Sequence, residues 1–256
     1  MIPERFGSGP PLAPATDMKR HAGCALAMMA CAAHDPVGIT GEEDDEGAVS
    51  LASTLRPAGG GGELGAMLEM VAFARGESVE GFVQAADGSF HGNHVGLWYG
   101  YELTCRDHHN RGVDCGHHTD NADARGAWSG SLDLPFMALS IERTGEWMLN
   151  DVASDLVRID GFGTLTCASD IAHPDRGAAS YRFAYEADHR GVFFARGDIW
   201  PRRGIALYRL VESTRAIEVD AEVQFIAGGH ALITLDDKRR YQVDLAIGTI
   251  TLTLEP

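Results

Sequence analysis

The chain has 256 residues, with 37 acidic and 21 basic side chains and a formal net charge of −16 at pH 7. That balance excludes a nucleic-acid partner on charge grounds, because phosphate binding needs clustered Lys and Arg. A hydrophobic content of 45% with 23% charged residues is globular and not disordered. The longest run free of charge, residues 22–33, is too short for a bilayer-spanning helix of about 20 residues.

Residues 1–17 contain four prolines and fit no targeting signal, so they read as a non-native leader with the natural start at Met18. Met18-Lys19-Arg20-His21 is a short basic start, an apolar run follows from Ala22 to Ala30, and Cys31 closes it. This is the layout of a secretory signal. Ala27-Met28-Met29-Ala30-Cys31 resembles the lipobox of bacterial lipoproteins, with Met28 where that family usually carries Leu. The resemblance implies that residues 18–31 are a signal peptide and that Cys31 becomes the lipidated first residue of the mature chain. The expected location is then the bacterial cell envelope, with the membrane as partner through the lipid on Cys31. Cleavage removes Cys24 and consumes Cys31. That leaves Cys105, Cys115 and Cys167 in an oxidising compartment, an odd count that predicts one pair and one free thiol.

Residues 32–62 read as a disordered acidic and Gly-rich tether, with an acidic run at 41–47 and four glycines at 59–62. Such a stretch buries too little apolar surface to offset its ordering entropy. Leu64, Met67, Leu68 and Val71 then share one face at helical spacing, which predicts a helix from about Glu63 to Arg75 capped by Gly76.

From Val95 the period changes to two. Val95, Leu97, Tyr99, Tyr101 and Leu103 alternate with His94, Gly96, Trp98, Gly100 and Glu102. Met137, Leu139 and Ile141 form the next strand, with a turn at Arg143-Thr144-Gly145-Glu146 into Trp147 and Leu149. A strand from Val157 runs to about Cys167. Tyr181, Phe183 and Tyr185 begin another, turned back at Asp188-His189-Arg190-Gly191. Strands around Ile217–Phe225, Ala231–Leu235, Tyr241–Leu245 and Ile250–Leu254 complete the pattern. Short turns between strands mean antiparallel pairing, since a parallel sheet needs long crossovers. The predicted fold is all-β: an antiparallel meander over 63–256 forming a sandwich or an open barrel, with one short N-terminal helix. Over residues 18–34 and 95–256 this layout resembles uncharacterised β-rich lipoproteins of myxobacteria-like genomes, a resemblance that carries no known activity.

Three features carry candidate chemistry. His91, His94, His108, His109, His117 and His118 crowd one short stretch, and imidazole is a common ligand for Zn, Cu and Ni. Asp107, Asp114 and Asp120 lie among them. A Cys105–Cys115 disulfide across a hairpin would pair residues whose numbers sum to 220. His117 would then face Leu103, about 16 Å along the strand from His108. The rival readings of the two cysteines are thiolate metal ligands or reduced thiols. Cys167, in phase with Leu165, reads as a small buried hydrophobe.

The third feature is Glu218-Val219-Asp220-Ala221-Glu222. It resembles the E-x-D-x-E strand of laminarinase-like glycoside hydrolases, which implies Glu218 as nucleophile, Asp220 as helper and Glu222 as acid/base. Otherwise it is the wet face of an amphipathic strand. The leading expectation is an envelope-anchored lipoprotein with a non-catalytic binding or structural β domain, its ligand or protein partner unknown. The alternative is a transition-metal protein using the 91–118 histidines. The third reading is a glycoside hydrolase.

Overall fold

The computed structural model describes residues 62–253 apart from 95–96, 135–136, 174–176, 213–216, 237–238 and 248, together with 47–48, 51–52 and 54–55. The leader, the signal segment and Cys31 lie outside the described residues.

Helix α1, Glu63–Ala74, forms where the apolar spacing placed it. It stops by a Schellman arrangement. Gly76 takes φ +71°, its N–H donates to Phe73 O, and Glu77 N–H donates to Ala72 O. Ahead of it, residues 47–48, 51–52 and 54–55 are helical, and Ala48, Leu51, Ala52 and Leu55 are fully buried in the core. The tether expected over 32–62 is corrected at these positions. Ala48, Leu51, Ala52 and Leu55 are spaced i, i+3, i+4, i+7, an apolar helical stripe that the flanking acidic and glycine runs obscure.

Thirteen strands follow: β1 Phe82–Gln84, β2 Phe90–His94, β3 Leu97–Arg106, β4 Gly112–Val113, β5 Asn121–Leu134, β6 Met137–Asn150, β7 Leu156–His173, β8 Gly177–Ala195, β9 Pro201–Glu212, β10 Ile217–Ile226, β11 His230–Leu235, β12 Arg239–Asp244 and β13 Thr249–Thr253. They make one antiparallel sheet in meander order, with β4 a short side pairing on β3. The described strands form one open sheet, not closed into a barrel, with β1 and β13 at its ends. From β3 to β12 the strands show the expected alternation of core and solvent positions, apart from the two-residue β4 and the bulged stretches of β8 and β9.

Two expected turns do not exist. β6 runs unbroken through Arg143-Thr144-Gly145-Glu146, and β8 runs through Asp188-His189-Arg190-Gly191. Polar and glycine residues look like turn chemistry in isolation, but in β6 they keep the strand's phase, and in β8 they lead into a bulge near Gly191, after which Val192 and Phe194 take the buried positions. Arg143 lies in register with Leu139, Ile141, Trp147 and Leu149, and His189 with Tyr185 and Ala187, all on the core side. β9 was not expected at all.

α1 packs on β3 and β5, and its first residue, Glu63, also touches side chains of β6, β8 and β9. Through these contacts one helix reaches from β3 to β9.

Beneath the core side chains runs a row of glycines. Gly126, Gly145 and Gly163 are direct neighbours across β5, β6 and β7. The Trp147 indole lies back along its own strand over this row. A Cβ on Gly145 would stand 2.1 Å from Trp147 Cη2, and one on Gly161 would stand 2.3 Å from Glu146 O. Gly145→Ala should therefore push the indole off its seat and destabilise the domain by roughly 1–3 kcal/mol, the usual scale for overpacking. Urea unfolding with Trp fluorescence measures this. An unchanged midpoint would show that the indole has another place to go.

Candidate functional site

The most concentrated set of ionisable groups lies inside the protein. Glu63 is completely buried and begins α1, where its own backbone offers no side-chain cap. Its carboxylate takes four donors. Arg143 Nη2 of β6 donates to Oε1 at 2.7 Å, and His189 Nε2 of β8 lies 3.2 Å from the same oxygen. Tyr185 of β8 donates to Oε2 at 2.7 Å and Tyr208 of β9 to the same oxygen at 3.3 Å. A carboxylate has about four lone-pair sites, and all are used.

Burial pushes the Glu63 carboxyl up, but Arg143 and His189 beside it, with hydrogen bonds from His189 and Tyr185, outweigh burial and hold it at about 2. Arg143 is likewise enclosed; burial works against its charge, and Glu63 more than restores it. Its guanidinium also stacks 4.4 Å from the centre of the Trp128 ring and 5.7 Å from that of Trp147. Burial and the neighbouring carboxylate push the Tyr185 and Tyr208 hydroxyls well above their ordinary range, so both stay neutral donors.

A second chain of hydrogen bonds runs from the sheet to the middle of α1. Trp128 Nε1 donates to Tyr101 Oη at 3.1 Å, and Tyr101 donates to Glu69 Oε2 at 2.6 Å. Burial dominates here and lifts the Glu69 carboxyl to about 7, against the Tyr101 hydrogen bond and the field of Arg143. One helix thus carries two carboxylates with opposite proton preferences, set by how many donors each meets.

The residues singled out from the sequence lie elsewhere. Cys105 and Cys115 do form a disulfide, with Cα atoms 5.3 Å apart. It does not span a regular hairpin: Cys105 pairs with Val113 on β4 and with Ala122 on β5, so the expected register summing to 220 is corrected. β4 has only two residues, and the chain leaves it one residue before Cys115, which lies in a bend. Cys167 is buried in phase with Leu165 and is itself disulfide-bonded, with its partner outside the described residues, so the expected free thiol is corrected.

The histidines separate into pairs. His108 and His109 occupy the turn after β3 with ring centroids 3.8 Å apart, and His117 and His118 occupy the turn after Cys115 at 3.7 Å. His117 does not face Leu103, which pairs with Ala124. Asp107 shapes the first turn. Its carboxylate takes the Arg111 guanidinium and the backbone N–H groups of His109 and Arg111, and these bonds hold its pKa well below the carboxylate range. His91 Nε2 lies 2.7 Å from Ser89 Oγ, and its ring lies near Trp98. The side chain of His94 is outside the described residues. Among the described residues no three His, Cys, Asp or Glu side chains come together as a metal site.

Glu218, Asp220 and Glu222 share the solvent face of β10, as the alternation implies. Glu218 is tied to Arg209 of β9 at 2.7 Å. Asp220 and Glu222 line a shallow open groove with Leu207, Thr234 and Asp236.

Sequence reasoning missed Glu63, Arg143 and His189. The signal was present: a charged residue in phase with the apolar face of a long strand must be buried, and a buried charge demands a partner. Compared with protein-family models, curated proteins and solved structures, the chain matches none.

Two predictions follow from the cluster. Glu63→Gln leaves the Arg143 cation buried without its counter-charge and should cost about 3–5 kcal/mol in chemical denaturation. Adding Arg143→Met should recover part of that loss, and a double variant no better than the single would refute the pairing as the cause. The pH dependence has two arms. The Glu63 pKa is depressed from 4.5 to about 2, so its contribution is present above 4.5 and lost as pH falls toward 2. The Glu69 pKa is raised from 4.5 to about 7, so its contribution is present below 4.5 and lost as pH rises through 7. Each arm is worth about 3 kcal/mol. Glu69→Gln should flatten the decline between pH 4.5 and 7 while leaving the acid arm intact.

Proposed function

We propose that this chain is an exported, lipid-anchored protein of the bacterial cell envelope whose β domain serves a non-catalytic binding or structural role. The observation that carries the proposal is the Cys105–Cys115 bond, because disulfides persist in oxidising compartments and are rare in the reducing cytosol. The Cys31 lipobox supplies the route and the anchor. The buried chemistry supports the non-catalytic part. Glu63, Arg143 and His189, the groups whose enclosure would suit acid–base work, are sealed from solvent and directed at one another. The outer face is laced with carboxylate–arginine pairs across neighbouring strands, such as Arg106–Asp123, Arg125–Glu146 and Arg209–Glu218. Such a surface suits protein contact in the envelope.

Cys31 is the atom on which two fates compete. A sulfur carrying a lipid thioether cannot also join a disulfide, and beyond the Cys105–Cys115 pair and Cys167 the chain has only Cys24 and Cys31. The proposal commits to the lipid on Cys31, which requires that the bond on Cys167 be absent from the processed chain, since cleavage also removes Cys24. Intact mass and peptide mapping of the protein purified from bacterial membranes, with and without reductant, test it. An acylated chain beginning at Cys31, with the mass gain of a reduced disulfide between Cys105 and Cys115, is the expected result. An unprocessed chain, or a Cys31 joined to Cys167, would remove the anchor, and fully reduced Cys105 and Cys115 would remove export.

A further inference from the structure

The sheet has two ends, and they are finished differently. β1 is three residues long, and a short strand blunts an edge. β13, Thr249–Thr253, has β12 on one side and, among the described residues, no strand on the other. Its outward N–H and C=O groups are therefore open to another strand. The usual guards of such an edge are Lys, Pro, a bulge or an inward-pointing charge. β13 has none of them. Its sequence is Thr-Ile-Thr-Leu-Thr, its register with β12 is unbroken, and residues 245–254 carry no charge in a chain of net charge −16. β-branched residues fill every position but Leu252, a composition that favours strand pairing.

The side chains show where cover is missing. Ile250 and Leu252 lie opposite Val243 and Tyr241 of β12, both buried in the core. Leu252 is nonetheless 47% exposed, because the sheet stops there. The three threonines take the solvent face, with Thr249 beside Asp244, Thr251 beside Gln242 and Thr253 beside Arg240.

We propose that β13 pairs antiparallel with β13 of a second copy, about a two-fold axis at Thr251, and joins two sheets edge to edge. The pattern of the strand selects a second copy over an unrelated strand. It reads nearly the same in both directions about Thr251, as a two-fold interface requires of a patch that meets itself. Thr251 then faces Thr251, and Thr249 faces Thr253, pairs that are favourable across strands. Ile250 of each copy lies against Leu252 of the other, which takes the exposed leucine out of water. Charge agrees. Each row of the solvent face runs from Arg240 and Thr253 of one copy to Thr249 and Asp244 of the other, so opposite charges flank the axis. Charges farther apart than about 8 Å are largely screened at physiological ionic strength, which mutes the repulsion between two acidic chains. One five-residue strand from each copy falls short of the roughly 20–30 residues a side of a stable complex, so the joint is reversible. It needs neither the lipid nor export.

Sedimentation of the full chain over rising concentration, together with disulfide trapping, tests the joint. The expected result is reversible dimerisation below about 1 mM. Thr251→Glu sets two carboxylates opposite each other and should weaken it by more than about tenfold. Thr251→Cys should give a dimer joined through residue 251 on mild oxidation, since paired Cα atoms stand about 4.5–5.5 Å apart, within disulfide reach. Thr249→Cys alone should not, because its two copies stand about 13 Å apart along the strands. Mixed with Thr253→Cys, it should cross-link. Peptide mapping without reductant reads which residues have joined, and trapping decides the point whether or not Thr251→Glu folds. A chain that stays monomeric to about 1 mM would overturn the proposal, and an edge reserved for another protein's strand gives that result. A dimer indifferent to Thr251→Glu would overturn it too, as would Thr249→Cys cross-linking as readily as Thr251→Cys.

Discussion

The burial of Glu63 is the constraint on which the rest of the architecture rests. A carboxylate at the head of α1 sits at zero exposure, and it can do so only because β6, β8 and β9 each send a donor to it. Taking both charges of a buried pair out of water costs more than their attraction returns unless further hydrogen bonds fill the remaining sites. Here the two tyrosines and His189 fill those on the acid. The cluster therefore specifies position more than it adds stability: one sheet curvature and one helix depth bring all four donors to the same carboxylate.

The glycine row and the aromatic lining follow from that geometry. Gly126 and Gly145 leave room for the Tyr101 and Trp147 rings, and Gly163 lies beside Glu63 Oε1. The space is refilled from the sides by Trp128, Trp147, Tyr101 and Phe73, all buried. Arg143 is sandwiched against two of these rings, so its cation is stabilised by π faces where acceptors are lacking. Phe73 stacks on Phe90 and tilts against Tyr101, which carries the same close packing to the other end of α1. Helix and sheet form a single interior, and the buried stripe of Ala48, Leu51, Ala52 and Leu55 belongs to it.

Much of the sheet was legible because a strand half in water must alternate. β10 to β12 fall where Ile217 to Leu245 alternate, and β3 shows the expected Leu97, Tyr99 and Tyr101 face. Legibility failed where a strand's buried face carried polar residues. Arg143 and Gly145 in β6, and His189 and Gly191 in β8, have the composition of turns, and local composition cannot reveal a partner lying 80 residues upstream in the chain. The histidine cluster failed for the opposite reason. Six imidazoles close in sequence fall on two separate turns and on β2, because the chain reverses between them.

What the sequence determined by itself was local: strand periodicity, the helix over 63–74, and a cysteine pair close enough in the chain to bridge. These depend on neighbours within a few residues, where spacing and side-chain chemistry suffice. Only the tertiary structure decided that the strands form one open sheet bent around a helix, and that Glu63, Arg143, His189, Tyr185 and Tyr208 meet. That convergence joins the head of the helix to three separate strands, a long-range property that no window of sequence contains.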